Sequence, residues 1–146
     1  MRIIATIGTL LLLTASFVQP AFAGCAQTLE RVPEAEAKSD QVLNLLKAGK
    51  GAEAVTTLMT SSPLMAGRTT EQTQITTQVQ GALDLYGPVS GFELVESQRL
   101  GSFFVKEYYV VQHRNMVTRW EFEMIKTGAG WTYGYFGFED QVRTWC

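Results

Sequence analysis

The sequence is poor in the residues that most often carry chemistry. It has one His and two Cys among 146 residues. No His/Cys cluster has zinc-ligand spacing, so no metal site is expected. Basic residues are not in excess. Twelve Lys and Arg stand against 14 Asp and Glu, a formal charge of −2, so nothing is available to neutralise a phosphate backbone and no nucleic-acid partner is expected. Neither G-x-x-x-x-G-K-[ST] nor G-x-G-x-x-G occurs, so no nucleotide cofactor is expected either. With one His, a Ser/His/Asp or Cys/His arrangement has little to draw on.

The one long apolar run lies at the N-terminus. Met1-Arg2 is a short positive stretch, Ile3 to Val18 is uncharged, and Ala21-Phe22-Ala23 follows Pro20 as an A-x-A cleavage site. This reads as a secretory signal peptide over residues 1–23, cut after Ala23, followed by a single domain over 24–146. Cleavage leaves 123 residues with 11 basic and 14 acidic side chains, net −3. No later run approaches the roughly 18 apolar residues of a spanning helix. The expected location is the periplasm or the exterior.

Export gives the cysteines meaning. Cys25 and Cys146 then stand at the two ends of the mature chain, in an oxidising compartment. A disulfide between them would remove unfolded-state entropy worth about 4–5 kcal/mol. Phe22-Ala23-Gly24-Cys25 also resembles a lipobox, in which Cys25 would carry a lipid anchor and leave Cys146 unpaired. Both alternatives stand at this point.

Periodicity divides the rest into helices followed by strands. Pro33-Glu34-Ala35 opens a helix running to about Lys47. Ala52 to Met59 is a second. Ile75, Val79, Ala82, Leu83 and Tyr86 form one stripe of a third, which Thr69 and Gln72 would open as a capping box and Gly87-Pro88 would stop. From Gly91 the period becomes two. Four strands are expected, Phe92–Leu100, Phe103–His113, Met116–Thr127 and Trp131–Phe138, joined by links short enough for antiparallel hairpins. The fold class is therefore α+β, about three N-terminal helices on a curved four-stranded antiparallel meander.

The links also predict register. A two-residue turn at Arg114-Asn115 sets Tyr109 opposite Trp120, Glu107 opposite Phe122 and Lys106 opposite Glu123, a favourable charge pair. The last turn sets Met124 opposite Tyr133 and Phe122 opposite Tyr135. One face thus gathers Tyr109, Trp120, Phe122, Tyr133 and Tyr135. These form either a packed core or the lining of a pocket for a small apolar ligand. The first hairpin sets Glu96 opposite Glu107. Two carboxylates on an aromatic face could divide into an acid and a base, which makes them the candidate catalytic residues. His113, beside a turn, is expected to be solvated.

Leu85-Tyr86-Gly87-Pro88-Val89 leads into Gly91-Phe92-Glu93-Leu94-Val95. With Trp120-x-Phe122, and Lys126 followed by Gly130-Trp131, these residues resemble small exported bacterial proteins of the nuclear transport factor 2-like/cystatin-like fold. The resemblance spans roughly Pro33 to Asp140. It implies helices in the concavity of a curved sheet, and homodimers formed through that sheet. It supplies no function, since this fold includes isomerases, dehydratases, ligand binders and interaction modules. The first expectation is an exported, non-enzymatic module that binds a small apolar ligand or an envelope protein. The alternative is a cone-type isomerase- or hydrolase-like enzyme using Glu96 and Glu107.

Overall fold

The computed structural model describes residues 28–141 and residue 145. The expected signal segment with its cleavage site at Ala23, and both Cys25 and Cys146, lie outside the described residues. Three helices, α1 (Pro33–Lys47), α2 (Gly51–Ser61) and α3 (Thr69–Tyr86), precede four strands. The strands β1 (Val89–Leu100), β2 (Phe104–His113), β3 (Val117–Thr127) and β4 (Gly130–Glu139) form one antiparallel sheet in the order β1-β2-β3-β4. This is the expected α+β arrangement. No described helix is long and apolar enough to cross a membrane.

Helix α1 starts at Pro33, whose missing N–H costs nothing there, and has Glu34 and Glu36 at its positive end and Lys47 at its negative end. It stops because Gly49 takes φ +74°. The Gly49 and Lys50 N–H groups then donate to the Leu46 and Leu45 carbonyls, closing the helix end. Helix α2 follows at once, with Gly51 buried against α3. A Cβ at Gly51 would stand 2.9 Å from Leu83 Cδ1. Helix α3 begins without the expected capping box. Arg68 is the N-cap and no side chain caps the helix. Thr69 is already inside the first turn, where its carbonyl accepts from the Thr73 hydroxyl.

The inner face of the sheet buries Val105, Tyr109, Val111, Trp120, Phe122, Met124 and Tyr133 under α1 and α2. Those helices contribute Val42, Leu43, Leu46, Val55, Leu58 and Met59. The outer face carries Lys106 between Glu121 and Glu123, both at 2.8 Å. These carboxylates raise the Lys106 pKa. On the same face Arg119 lies over the Tyr108 ring and pairs with Glu139.

The β2–β3 register is the expected one, with Tyr109 opposite Trp120, Glu107 opposite Phe122 and Lys106 opposite Glu123. Three irregularities interrupt the outer strands, one at Ser90 near the start of β1 and two that change the expected pairing. In β1 an extra residue at Val95 sets Glu96 opposite Tyr108 and brings Ser97 opposite Glu107. In β4 an extra residue at Gly134 sets Tyr135 opposite Glu123 and brings Phe136 opposite Phe122. Side chains alternate across a strand, so one inserted residue moves everything beyond it to the other face.

Candidate functional site

Glu96 and Glu107 are therefore not a pair. Glu96 sits on the outer face, where its carboxylate accepts from Gln98 Nε2. Glu107 is fully buried on the inner face. The residue that meets Glu107 comes from α1 instead. Ser39 Oγ donates to Glu107 Oε2 at 2.6 Å, while Oε1 has no hydrogen-bond partner among the described residues. One turn of α1 directs Glu36, Ser39 and Asp40 toward this carboxyl. Burial, reinforced by the charges of Glu36 and Asp40, pushes the Glu107 pKa up to about 7 against the pull of the Ser39 hydrogen bond and of Arg31. Asp40 is raised by its own burial and by Glu36.

Two tyrosines complete this cluster. The Tyr133 hydroxyl donates to the Lys38 carbonyl at 2.7 Å. Burial, then the nearby Glu107, raises the Tyr133 pKa. Tyr109 is raised chiefly by burial as well. The Ser39–Glu107 and Tyr133–Lys38 hydrogen bonds clasp α1 to the sheet. Glu107, Tyr109 and Tyr133 are too enclosed to meet a substrate. The cluster therefore acts as a polar fastening whose charge depends on pH.

The expected pocket face is filled in the same way. Phe92, Tyr109, Phe122, Trp120 and Phe138 form a continuous chain of ring contacts, with centroids 4.9–6.2 Å apart. Tyr133 joins it through Phe122. Tyr109, Trp120, Phe122 and Tyr133 are core residues. Tyr135 does not belong with them, because the Gly134 bulge turns it outward to 50% exposure, over Gly137. His113 also differs from expectation. It is buried, its Nδ1 is 3.1 Å from the Gly87 carbonyl, and its Nε2 is 3.0 Å from Thr118 Oγ1, which also accepts from Trp120 Nε1. It ties the end of α3 to the sheet.

The open space lies beside this core. A groove of about 560 Å³ runs between α3 and the β4 edge, within the size range of ligand sites. One wall is the α3 stripe of Ile75, Gln78, Ala82, Leu85 and Tyr86. The other is the consecutive run Tyr135 to Asp140. Leu85 is 68% exposed along it. At one end Asp140 accepts from the Tyr86 hydroxyl and raises the Tyr86 pKa.

Of the expected pocket residues, Tyr135 alone lines this groove. Ile75, Ala82 and Tyr86 of the α3 wall stand in the stripe expected from the sequence, whereas Gln78 and Leu85 do not. The residues on β4 were missed because Gly134 re-aims the strand, and Ser39 and Asp40 because nothing local ties α1 to Glu107. Among the described residues, no group of three or more His, Cys, Asp and Glu side chains could hold a metal ion.

No protein-family model matches this chain. No curated protein matches it either. Among solved structures, it is similar to a domain of unknown function with a cystatin-like fold from Nostoc punctiforme. The match has a TM-score of 0.52 and 12% identity, over 77% of this chain and 80% of that one. At that identity the likeness concerns architecture alone, and the architecture is a cystatin-like α+β fold.

Proposed function

We propose that this chain is an exported, non-enzymatic binding module that holds its ligand in the groove between α3 and β4. The carrying observation is the contrast within one helix–sheet layer. The interior around Phe122 is packed, while the space between α3 and β4 is open, with apolar Ile75, Leu85, Phe136 and Phe138 beside polar Gln78, Tyr86, Glu139 and Asp140. That combination suits a ligand site. Glu107, the most perturbed carboxyl, is enclosed and faces α1, which favours a binding role over an enzymatic one. The A-x-A site at Ala23 behind an uncharged apolar run supports export.

The binding reading is tested by titrating the 15N-labelled protein with the apolar dye 1-N-phenylnaphthylamine. Amide shifts should concentrate at Ile75, Leu85 and Phe136. Ala82→Trp, which fills the groove, should weaken binding at least tenfold while the melting temperature holds. Shifts confined to residues outside the groove, or none, would sink this reading. Export is tested by expressing the full chain in a Gram-negative host, fractionating the cells and weighing the product. The expected product is periplasmic, begins at Gly24, and is lighter by two hydrogens than its reduced form, for a Cys25–Cys146 disulfide. A diacylglycerol adduct on Cys25 would replace the disulfide with the lipid anchor. An uncleaved cytosolic chain would remove export.

A further inference from the structure

We infer that the groove takes an extended peptide segment of a partner protein, apolar and basic in character, which adds to β4 as a fifth strand. This rests on the binding reading above and deepens it.

The shape of the walls is the first argument. Six consecutive residues, Tyr135 to Asp140, line the groove. Consecutive strand residues point to opposite faces, so what they share is the edge of the strand, with its main-chain groups, and not one face of it. Among the described residues β4 ends the sheet, with β3 as its strand neighbour. An edge strand presents N–H and C=O groups that can accept another chain. Strand addition uses those groups for affinity and flanking side-chain pockets for specificity.

Length is the second argument. From Tyr135 to Asp140, the last residues of β4 and the one after it, extended chain advances at most about 17 Å. From Ile75 to Tyr86 a helix also advances about 17 Å. Ile75, Gln78, Ala82 and Leu85 recur along one side of α3 over that distance. The slot is thus long, walled by a helix on one side and a strand edge on the other. It suits about five residues of extended chain. A compact ligand would cover only part of it.

Charge is the third. The charged groove residues are Glu139 and Asp140, and α3 carries Glu71 and Asp84 but no Lys or Arg. Arg119 pairs with Glu139 from the outer face. Arg114 packs beside Gly87, just past the end of α3. With Glu139 already paired, Asp140 is the groove carboxylate without a cationic partner among the described residues, and the lining itself holds no Lys or Arg, which complements a basic segment. A second copy of this chain is a weaker occupant. Approaching β4 to β4, it would bring its own α3 and its own Glu139 and Asp140 to the same edge.

The test uses the processed full-length protein and four compounds: a pentapeptide alternating lysine and valine, the same peptide N-methylated at alternate amides, a glutamate–valine version, and dodecylamine. The lysine–valine peptide should perturb the amides of Phe136 to Asp140 and of α3. N-methylation and the glutamate version should each weaken it at least tenfold. Leu85→Lys, an exposed and fold-neutral change, should weaken the lysine peptide and strengthen the glutamate peptide, each at least threefold. Equal binding of the N-methylated peptide would overturn strand addition. Dodecylamine filling the groove where the lysine–valine peptide does not would also overturn it, yet leave the binding reading intact. If neither these compounds nor the naphthylamine dye binds, both fail. A concentration-dependent dimer that protects the β4 amides would give the edge to a second copy and overturn the peptide.

Discussion

Helices α1 and α3 are close in length and lie over the same sheet, yet they are held differently. α1 buries Ala35, Ser39, Val42, Leu43 and Leu46, whereas of the 18 residues of α3 only Val79 is buried. α1 is also fastened by two polar links to the sheet, Ser39 to Glu107 and Tyr133 to the Lys38 carbonyl. α3 is fixed at its end by the His113 network and otherwise leans on α2, with Gln72 Nε2 donating to Thr56 Oγ1. Its Thr73, Thr76 and Thr77 hydroxyls donate back to carbonyls one turn earlier, and threonine is a modest helix former. The lesson is that an amphipathic stripe does not reveal how much of itself is buried. On α1 the stripe is core, and on α3 most of it is the wall of a groove.

Breaking the packed side should have the largest effect. Phe122→Ala removes a fully buried ring and should cost about 3–5 kcal/mol in urea unfolding. Ile75→Ala on the α3 side should cost about 1 kcal/mol or less, since that side chain is only partly buried. Similar losses at both positions would erase the contrast.

The polar fastening gives a pH signature of known sign. The folded-state pKa of Glu107 lies above its ordinary value of 4.5, at about 7, so the folded protein binds the extra proton between those values. The Glu107 contribution to stability should be full below pH about 4.5, be lost as pH rises to about 7, and be absent above. The shift corresponds to about 3 kcal/mol. Asp40 is displaced in the same direction and adds to the slope. Glu107→Gln should flatten this part of the profile. An unchanged profile in that variant would remove Glu107 as its cause.

Hydrogen exchange sharpens the comparison further. The central amides of α3 should open at a free energy at least about 2 kcal/mol below those of α1. Uniform protection would mean that the helices belong to one cooperative unit. The smallest effect is expected at Thr73→Ala, an exposed change that restores helix propensity and should stabilise by about 0.5 kcal/mol, read as a small rise in melting temperature.

The sequence was most legible where periodicity and turn length act together. The β2–β3 register follows from the Arg114-Asn115 turn, and the His113 N–H does donate to the Met116 carbonyl. Register failed past Val95 and Gly134, because a bulge adds a residue without disturbing the hydrophobic alternation enough to announce itself. His113 was misread because its partners, Gly87 and Thr118, come from either side of the hairpin. The groove was not legible at all. It depends on how far α3 stands from β4, which no local pattern in either element encodes.

The links between helices and sheet join distant parts of the chain. Ser39 meets Glu107 across 68 residues, Ser61 meets Thr132 across 71, and Lys38 meets Tyr133 across 95. The hairpins, in contrast, close locally. As the chain is made from its N-terminus, α1 and α2 exist long before the surface that buries them, and the last clasp waits for β4. Contacts of such long sequence separation are the slow ones to form. The fold is thus closed last where its two halves meet, at the clasps between the helices and the sheet.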